Sequence, residues 1–230
     1  MTSTRLPGKV LHLAAGRPLL DYHVARLVWS ELPLYLAITA NASDDALAAY
    51  AEAHRLPYTR GSEDDVLARF QQCAQEHDLD VIVRVTSDCP LLDGKLIGEA
   101  VQEYLAASNP RLYLSNVVKR TFPRGFDFEV FSRELLEEAH AHAVLPADRE
   151  HVTPYLHQNR SGRVEFRHVR RAEDRSAYRL TVDTPDDFTL IKTLIENYGA
   201  ADLPGNELIQ LLDAHPELVA LNAHIEQKKI

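Results

Sequence analysis

The chain has 230 residues, 45% hydrophobic and 26% charged, a mix that fits an ordinary folded globular protein and excludes a disordered or collagenous one. Its 25 Lys and Arg stand against 34 Asp and Glu, a net charge of −9 that argues against nucleic-acid binding, which rests on neutralising phosphates. No apolar run approaches the roughly 20 residues of a membrane span, the polar, basic start lacks the apolar core of a signal peptide, and two cysteines, Cys73 and Cys89, without CxxC spacing fit a reducing cytoplasm, with neither a disulfide framework nor a zinc site.

Short apolar runs alternate with longer amphipathic ones, the pattern of an α/β sheet protein. Leu34 to Thr39 reads as a strand, and Ser43, Asp44 and Asp45 then supply an N-cap and acidic first turn for a helix reaching about Arg55. A short strand is expected near Tyr58, followed by a helix in which Ser62 and Asp65 have capping-box spacing and Val66, Leu67, Phe70 and Cys73 share a face. Asp80 to Thr86, DVIVRVT, is rich in β-branched residues and predicts a strand buried on both faces of a parallel sheet. A helix over about Gly94 to Ala107, a strand at Leu112 to Ser115 and a loop rich in Arg, Pro and Gly from Lys119 to Gly125 come next, and Phe126 to Phe131 alternates as a further strand. Helices are expected over about Arg133 to Ala143 and Arg149 to Gln158. After another strand, Thr184 as N-cap, Pro185 at N1 and Asp187 at N3 open a helix, and two short ones, about Gly205 to Asp213 and Pro216 to Gln227, follow it. There is no internal repeat, low-complexity tract or long linker, so residues 1–230 are expected to form one domain.

Three segments carry chemistry, each where a strand or chain end meets a loop, the edge at which open α/β sheets bind ligands. Ser3-Thr4-Arg5-Leu6-Pro7-Gly8-Lys9 offers hydroxyls, two cations and a Pro-Gly turn whose N–H groups can face an anion such as a triphosphate; the same residues also read as a basic turn and nothing more. Asp88, in Ser87-Asp88-Cys89-Pro90-Leu91, ends the DVIVRVT strand as a hard-oxygen ligand suited to Mg²⁺, or as the cap of the next turn. Thr184, Pro185 and Asp187 are accounted for as a helix start, but Asp183 lies on the strand side of that cap, from which its carboxylate can reach a metal. Asp88 and Asp183 can meet at one Mg²⁺ only through the fold. Arg60, with Gly61 and Ser62, places a cation before a helix N-terminus, an anion or base contact or else a capped loop. His151 reads as a ligand, a base or one of eleven scattered histidines, and Cys89, with no adjacent base, as a small buried residue.

In order, STRLPGKVL, RGSEDDVLARF, VRVTSDCPLLD, LSN with RTFPRGFDFEVF, REHVTPY and TVDTPDDF resemble the SpsF-type spore-coat polysaccharide branch of the cytidylyltransferase family, which also holds the synthetases of CMP-sialic acid and CMP-Kdo. The resemblance runs from Ser3 to at least Phe188. It implies a single-domain, Rossmann-like nucleotide-diphosphosugar-transferase fold of α/β class with a mostly parallel sheet, and a homodimer. It also implies transfer of CMP from CTP to an acidic or modified sugar, with release of pyrophosphate, for polysaccharide or glycan synthesis. Matched motif by motif, Ser3, Arg5 and Lys9 lie in the phosphate loop, with Arg5 and Lys9 on the triphosphate. Asp88 and Asp183 bind Mg²⁺, the cofactor, and Arg60 and Ser62 lie near the nucleotide. Arg5, Lys9, Asp88 and Asp183 form the implied catalytic set.

Four features depart from the family pattern. The pattern opens on an apolar strand ahead of the phosphate loop, whereas this chain starts at Met1 within the loop; the expectation is that Met1 is an internal start preceded by a strand of about five to seven residues. Ser87 stands where Gly is expected, Arg124 where Asp is, and Gly94 where Pro is. Lys119, Arg120 and Arg124 place three cations in one loop, facing an anion on the acceptor or simply water. Two other readings stay open: a catalytically silent nucleotide-binding homologue, which has no chemical need of both Asp88 and Asp183, and a nucleotidyltransferase with another base or acceptor.

Overall fold

A computed structural model describes Ser3 and residues 5–227, so Met1 and Thr4 lie outside the described residues. A 3-10 turn at Lys9–Leu11 leads to a ribbon of β1 (Leu13–Ala14) and β2 (Arg17–Pro18), then to α1 (Leu19–Leu27), which buries Leu19, Leu20, His23 and Leu27. α1 is an addition to the elements expected from sequence. β3 (Leu36–Thr39), α2 (Asp45–His54) and β4 (Tyr58–Gly61) form a βαβ unit, with Leu36 opposite Tyr58 and Thr39 opposite Gly61 in parallel register. α3 (Val66–Glu76) is capped by Asp65, whose side chain accepts from the Ala68 amide at 2.9 Å. Ser62 accepts from the Asp65 amide at 3.2 Å, so Ser62 shapes the turn before the helix instead of capping it.

The larger sheet is built from β5 (Val81–Arg84), β6 (Leu112–Ser115), β7 (Glu129–Ser132) and β8 (Glu165–His168), in the order β5-β7-β6-β8. β6 and β8 are parallel, but β7 runs antiparallel to both of its neighbours, so the sheet is mixed where a mostly parallel one was expected. Among the described residues the two strands buried along their whole length are β6 and β7; β5, read as the buried one, bonds there to β7 alone and is half-buried at Val81, Val83 and Arg84. β7 is also shorter than the Phe126 to Phe131 run. The Asn116 side chain takes its first backbone groups, donating to the Phe126 carbonyl at 2.6 Å and accepting from the Phe128 amide at 3.0 Å.

Side chains alternate across this sheet as the pleat requires. Ile82, Tyr113 and Phe131 join a core with α3, α5 (Arg133–His142) and α7 (Pro154–His157), while Leu112, Leu114 and Val130 join a larger one with α4 (Gly94–Ala107), α8 (Pro185–Tyr198) and α9 (Gly205–Ala214). Gly94 is fixed by this packing: a Cβ there would lie 2.1 Å from the Arg26 carbonyl oxygen, which is backbone and cannot yield. The expected helix over Arg149 to Gln158 is two pieces, α6 (Pro146–His151) and α7, broken where Val152 adopts φ 71° and Pro154 lacks an N–H. The last helix, α10 (Pro216–Ala220), stops short of Gln227 because Asn222 turns inward, donating to the Arg179 carbonyl at 3.0 Å and to Asp187 at 2.8 Å. No helix among the described residues is long and apolar enough to cross a membrane.

Candidate active site

Two remote segments meet beyond the end of β5. Asp88 sits in the turn that follows that strand, and its carbonyl accepts from the Val182 amide at 2.8 Å. Residues 180–182 run extended and buried, tied on the other side by the Leu180 amide to the Arg124 carbonyl at 2.7 Å. The strap ends at Asp183, just before the expected capping box, in which Thr184 accepts from the Asp187 amide at 3.3 Å and Asp187 accepts from that of Thr184 at 3.0 Å. Asp187 also accepts from the Asp183 amide at 3.0 Å, so the helix start holds Asp183 in place.

The two carboxylates converge on one cation. Lys9 Nζ donates to Asp88 Oδ2 and to Asp183 Oδ1, both at 2.8 Å. Arg5 Nη2 lies 3.1 Å from Asp183 Oδ2, and the Ser3 hydroxyl accepts from the Leu6 amide at 3.4 Å, closing the turn that carries both cations. Burial alone would lower the Lys9 pKa, but the charge of Asp88 and the hydrogen bonds to both carboxylates leave it raised. Burial alone would raise that of Asp183, but Lys9, Arg5 and Arg179 together hold it below the ordinary value.

The pair opens on a cavity of about 920 Å³ lined by Arg5, Asp88 and Asp183 together with Arg84, Arg120, Arg124, Glu150 and His151. This is ample for a small-molecule site. Of the expected cation cluster, Lys119 is exposed and off the cavity, and Arg120 pairs with Asp127, Nη2 to Oδ2 at 3.2 Å. Arg124 lines the cavity with its guanidinium half-buried and without a hydrogen-bond or ion-pair partner among the described residues. Its burial, with Arg120 and Arg179 nearby, lowers its pKa. Arg60 and Ser62 do not line this cavity. Arg60 holds β3 instead, donating to the Thr39 carbonyl at 3.0 Å and the Asn41 carbonyl at 2.8 Å while pairing with Asp45 at 2.8 Å. Cys89 is 2% exposed, and its thiol is pushed well up by burial and by the charges of Asp88 and Asp127, which removes it as a nucleophile.

Two residues of the site escape the motif reading. Arg179, nearly buried, bridges Asp183 at 2.7 Å and Asp187 at 2.8 Å. A single Arg inside the apolar run YRLTV was its signal, since a buried guanidinium must find carboxylates. His23 is wholly buried on α1 and its Nδ1 donates to the Cys89 carbonyl at 2.8 Å, buttressing the Asp88 turn from behind. Its signal was a lone His on the apolar face of LLDYHVARL. Among the described residues no three His, Cys, Asp or Glu cluster as a ready-made metal cage.

The profile of the cytidylyltransferase family matches residues 1–222. The chain is 33% identical over 226 residues, 94% of its length and 92% of the relative's, to the spore coat polysaccharide biosynthesis protein SpsF of Bacillus subtilis. It is 29% identical over 147 residues, 58% of each chain, to a 3-deoxy-manno-octulosonate cytidylyltransferase of Geobacter metallireducens. Among solved structures, a cytidylyltransferase from Leptospira borgpetersenii superposes over 100% of this chain and 95% of its own, with a TM-score of 0.87 and 30% identity. With its α/β nucleotidyltransferase fold and a family profile spanning nearly its whole length, this chain belongs to the cytidylyltransferase family.

Proposed function

We propose that the protein transfers CMP from CTP to a hydroxyl of an acidic or modified sugar, releasing pyrophosphate, in polysaccharide or glycan synthesis. The observation that carries this reading is the convergence of Asp88 and Asp183, with Arg5 and Lys9, at one cavity of a chain in this family. The names of the Bacillus and Geobacter relatives support a polysaccharide setting and a sugar-acid acceptor. The homodimer remains an expectation of the resemblance, and the cytoplasmic location one of the cysteine usage.

In the reaction the acceptor oxygen attacks the α-phosphorus, the bond from that phosphorus to the bridging oxygen breaks, and its electron pair leaves with pyrophosphate; the hydroxyl proton passes to water in the cavity. Charge grows on the phosphoryl oxygens and the leaving group, so the protein's task is placement and charge stabilisation. Arg5 and Lys9 supply that charge from a turn tied to the carboxylates. Arg179 and the Thr184 cap keep Asp183 from swinging as ligands enter. Arg124, half-buried and with no partner for its guanidinium among the described residues, suits a carboxylate on the acceptor, which it can meet with two parallel N–H groups.

Asp88 and Asp183 fit Mg²⁺: both are hard oxygen donors, and one oxygen of each already points at a common cation. Mg²⁺ sites commonly take only one or two carboxylates, with phosphate and water completing the shell. When bound, the ion would neutralise charge on the transferred phosphoryl group. The test is pyrophosphate release across the four NTPs, with and without Mg²⁺, against ulosonic acids and neutral sugars. Release that needs CTP, Mg²⁺ and a sugar acid is expected. Release that prefers another NTP, or none under any combination, would overturn the reading in favour of another base or a silent homologue.

A further inference from the structure

The carboxylate pair already holds a cation of the protein's own. Each carboxylate gives one oxygen to Lys9 Nζ, at 2.8 Å, and keeps the other engaged elsewhere. Asp88 Oδ1 accepts from the Thr86 hydroxyl at 2.6 Å, and Asp183 Oδ2 accepts from Arg179 Nη2 at 2.7 Å beside Arg5 at 3.1 Å. The two free oxygens therefore aim at one point, and the ammonium fills it.

A divalent ion needs the same two oxygens, at roughly 2.0–2.1 Å for Mg²⁺. It cannot take them while an ammonium sits between them, since the two cations would repel and each oxygen's facing lone pairs are in use. We propose that Lys9 is a resident stand-in for the metal, which keeps the divalent ion out of the Asp88–Asp183 pair until a nucleotide triphosphate draws the ammonium away. The proposal rests on the nucleotide-binding reading of the cavity. The triphosphate does two things at once: it gives Lys9 another anion to bind, and its oxygens supply the metal ligands that two carboxylates alone lack. Metal and nucleotide then reinforce each other's binding by the same factor, as linkage requires. Arg179, buried against Asp183, is not drawn on by the nucleotide, so the carboxylate keeps its aim when Lys9 leaves.

The experiment measures Mn²⁺ binding by loss of the free-ion electron paramagnetic resonance signal. The proteins are wild type, Lys9→Met and the double variant Lys9→Met with Asp88→Asn, each checked as folded by circular dichroism. Each is measured alone and with an α,β-methylene analogue of CTP that cannot release pyrophosphate. Wild type should bind Mn²⁺ weakly alone and at least about tenfold more tightly with the analogue. Lys9→Met should bind nucleotide-free Mn²⁺ at least about tenfold more tightly than wild type, and Asp88→Asn should abolish the gain. Should Lys9→Met fail to fold, Lys9→Gln takes its place. Nucleotide-free Mn²⁺ affinity equal in wild type and the Lys9 variant would overturn the proposal. Failure of the analogue to bind wild type, read by calorimetry, would instead contradict the nucleotide reading, because the nucleotide-free comparison judges Lys9 by itself.

Discussion

At the scale of single residues, the site is a balance of charges that no one motif contains. Among the described residues the Arg124 guanidinium has no hydrogen-bond or ion-pair partner, and that singles it out among the guanidinium groups around the cavity. Replacing it with Ala should raise the acceptor KM by tenfold or more, on the order expected for a charge-assisted pair of about 1.5–3 kcal/mol, with CTP KM nearly unchanged. Steady-state kinetics with the acceptor varied decides this, and an unchanged acceptor KM would exclude Arg124 from acceptor binding. His23 makes a different prediction. Burial holds its ring below the ordinary pKa, outweighing the Cys89 carbonyl and the Asp88 charge, so the folded protein keeps it neutral while the unfolded chain protonates it below about pH 6.5. Unfolding then takes up a proton, and stability should fall as pH drops below 6.5 until the folded-state pKa is passed. His23→Asn keeps an N–H donor for Cys89 but does not titrate. Its melting temperature should therefore fall less than that of wild type between about pH 7.5 and about pH 5. Parallel losses in the two proteins would show that His23 is not a source of acid sensitivity.

Elements explain why the motifs come together. The strap of residues 180–182 joins the Asp88 turn to the Arg124 loop, and Gly125, at φ 98°, makes the close approach possible: a Cβ there would lie 2.5 Å from the Leu180 carbonyl carbon and 2.7 Å from its oxygen. Gly125→Ala should cost about 2 kcal/mol or more of stability and displace Asp183, lowering turnover as well. Gly162→Ala, at φ 70° but with nothing within 4 Å, should cost only the conformational strain of about 1 kcal/mol. Denaturant titration compares the two, and equal losses would mean that the strap does not depend on this contact. Much at this scale was legible in advance. The Thr184 start was plain because Thr, Pro and Asp at N-cap, N1 and N3 each satisfy a local need, and Asp88 and Asp183 stood out because each follows a strand-like run. The antiparallel insertion of β7 was not legible, because residue alternation reports which face a side chain takes and says nothing of which strand lies beside it. Nor was the wiring of Arg179, which depends on Asp187 and Asn222 arriving from other elements. The contacts of Arg60 were hidden for the same reason: a cation before a helix start suits an anion, and nothing in its motif says that the Thr39 and Asn41 carbonyls of the neighbouring strand end lie within its reach.

For the molecule as a whole, the larger of the two cores holds both halves of the site at fixed separation: Cys89, Leu91 and Leu92 after β5 pack in it, and so do Leu180 and Val182 of the strap before α8. The chemistry proposed here needs that rigidity, since in-line transfer depends on how reacting atoms are placed. It also requires both carboxylates, whereas a nucleotide-binding scaffold would not. The most direct measurement is pyrophosphate release from CTP, with Mg²⁺ and the best acceptor, by wild type, Asp88→Asn and Asp183→Asn. Each variant should fold, keep a melting temperature near that of wild type, and lose turnover by about a hundredfold or more. Near-normal turnover in either folded variant would contradict the account, because it would leave one of the two converging carboxylates without a part in the reaction.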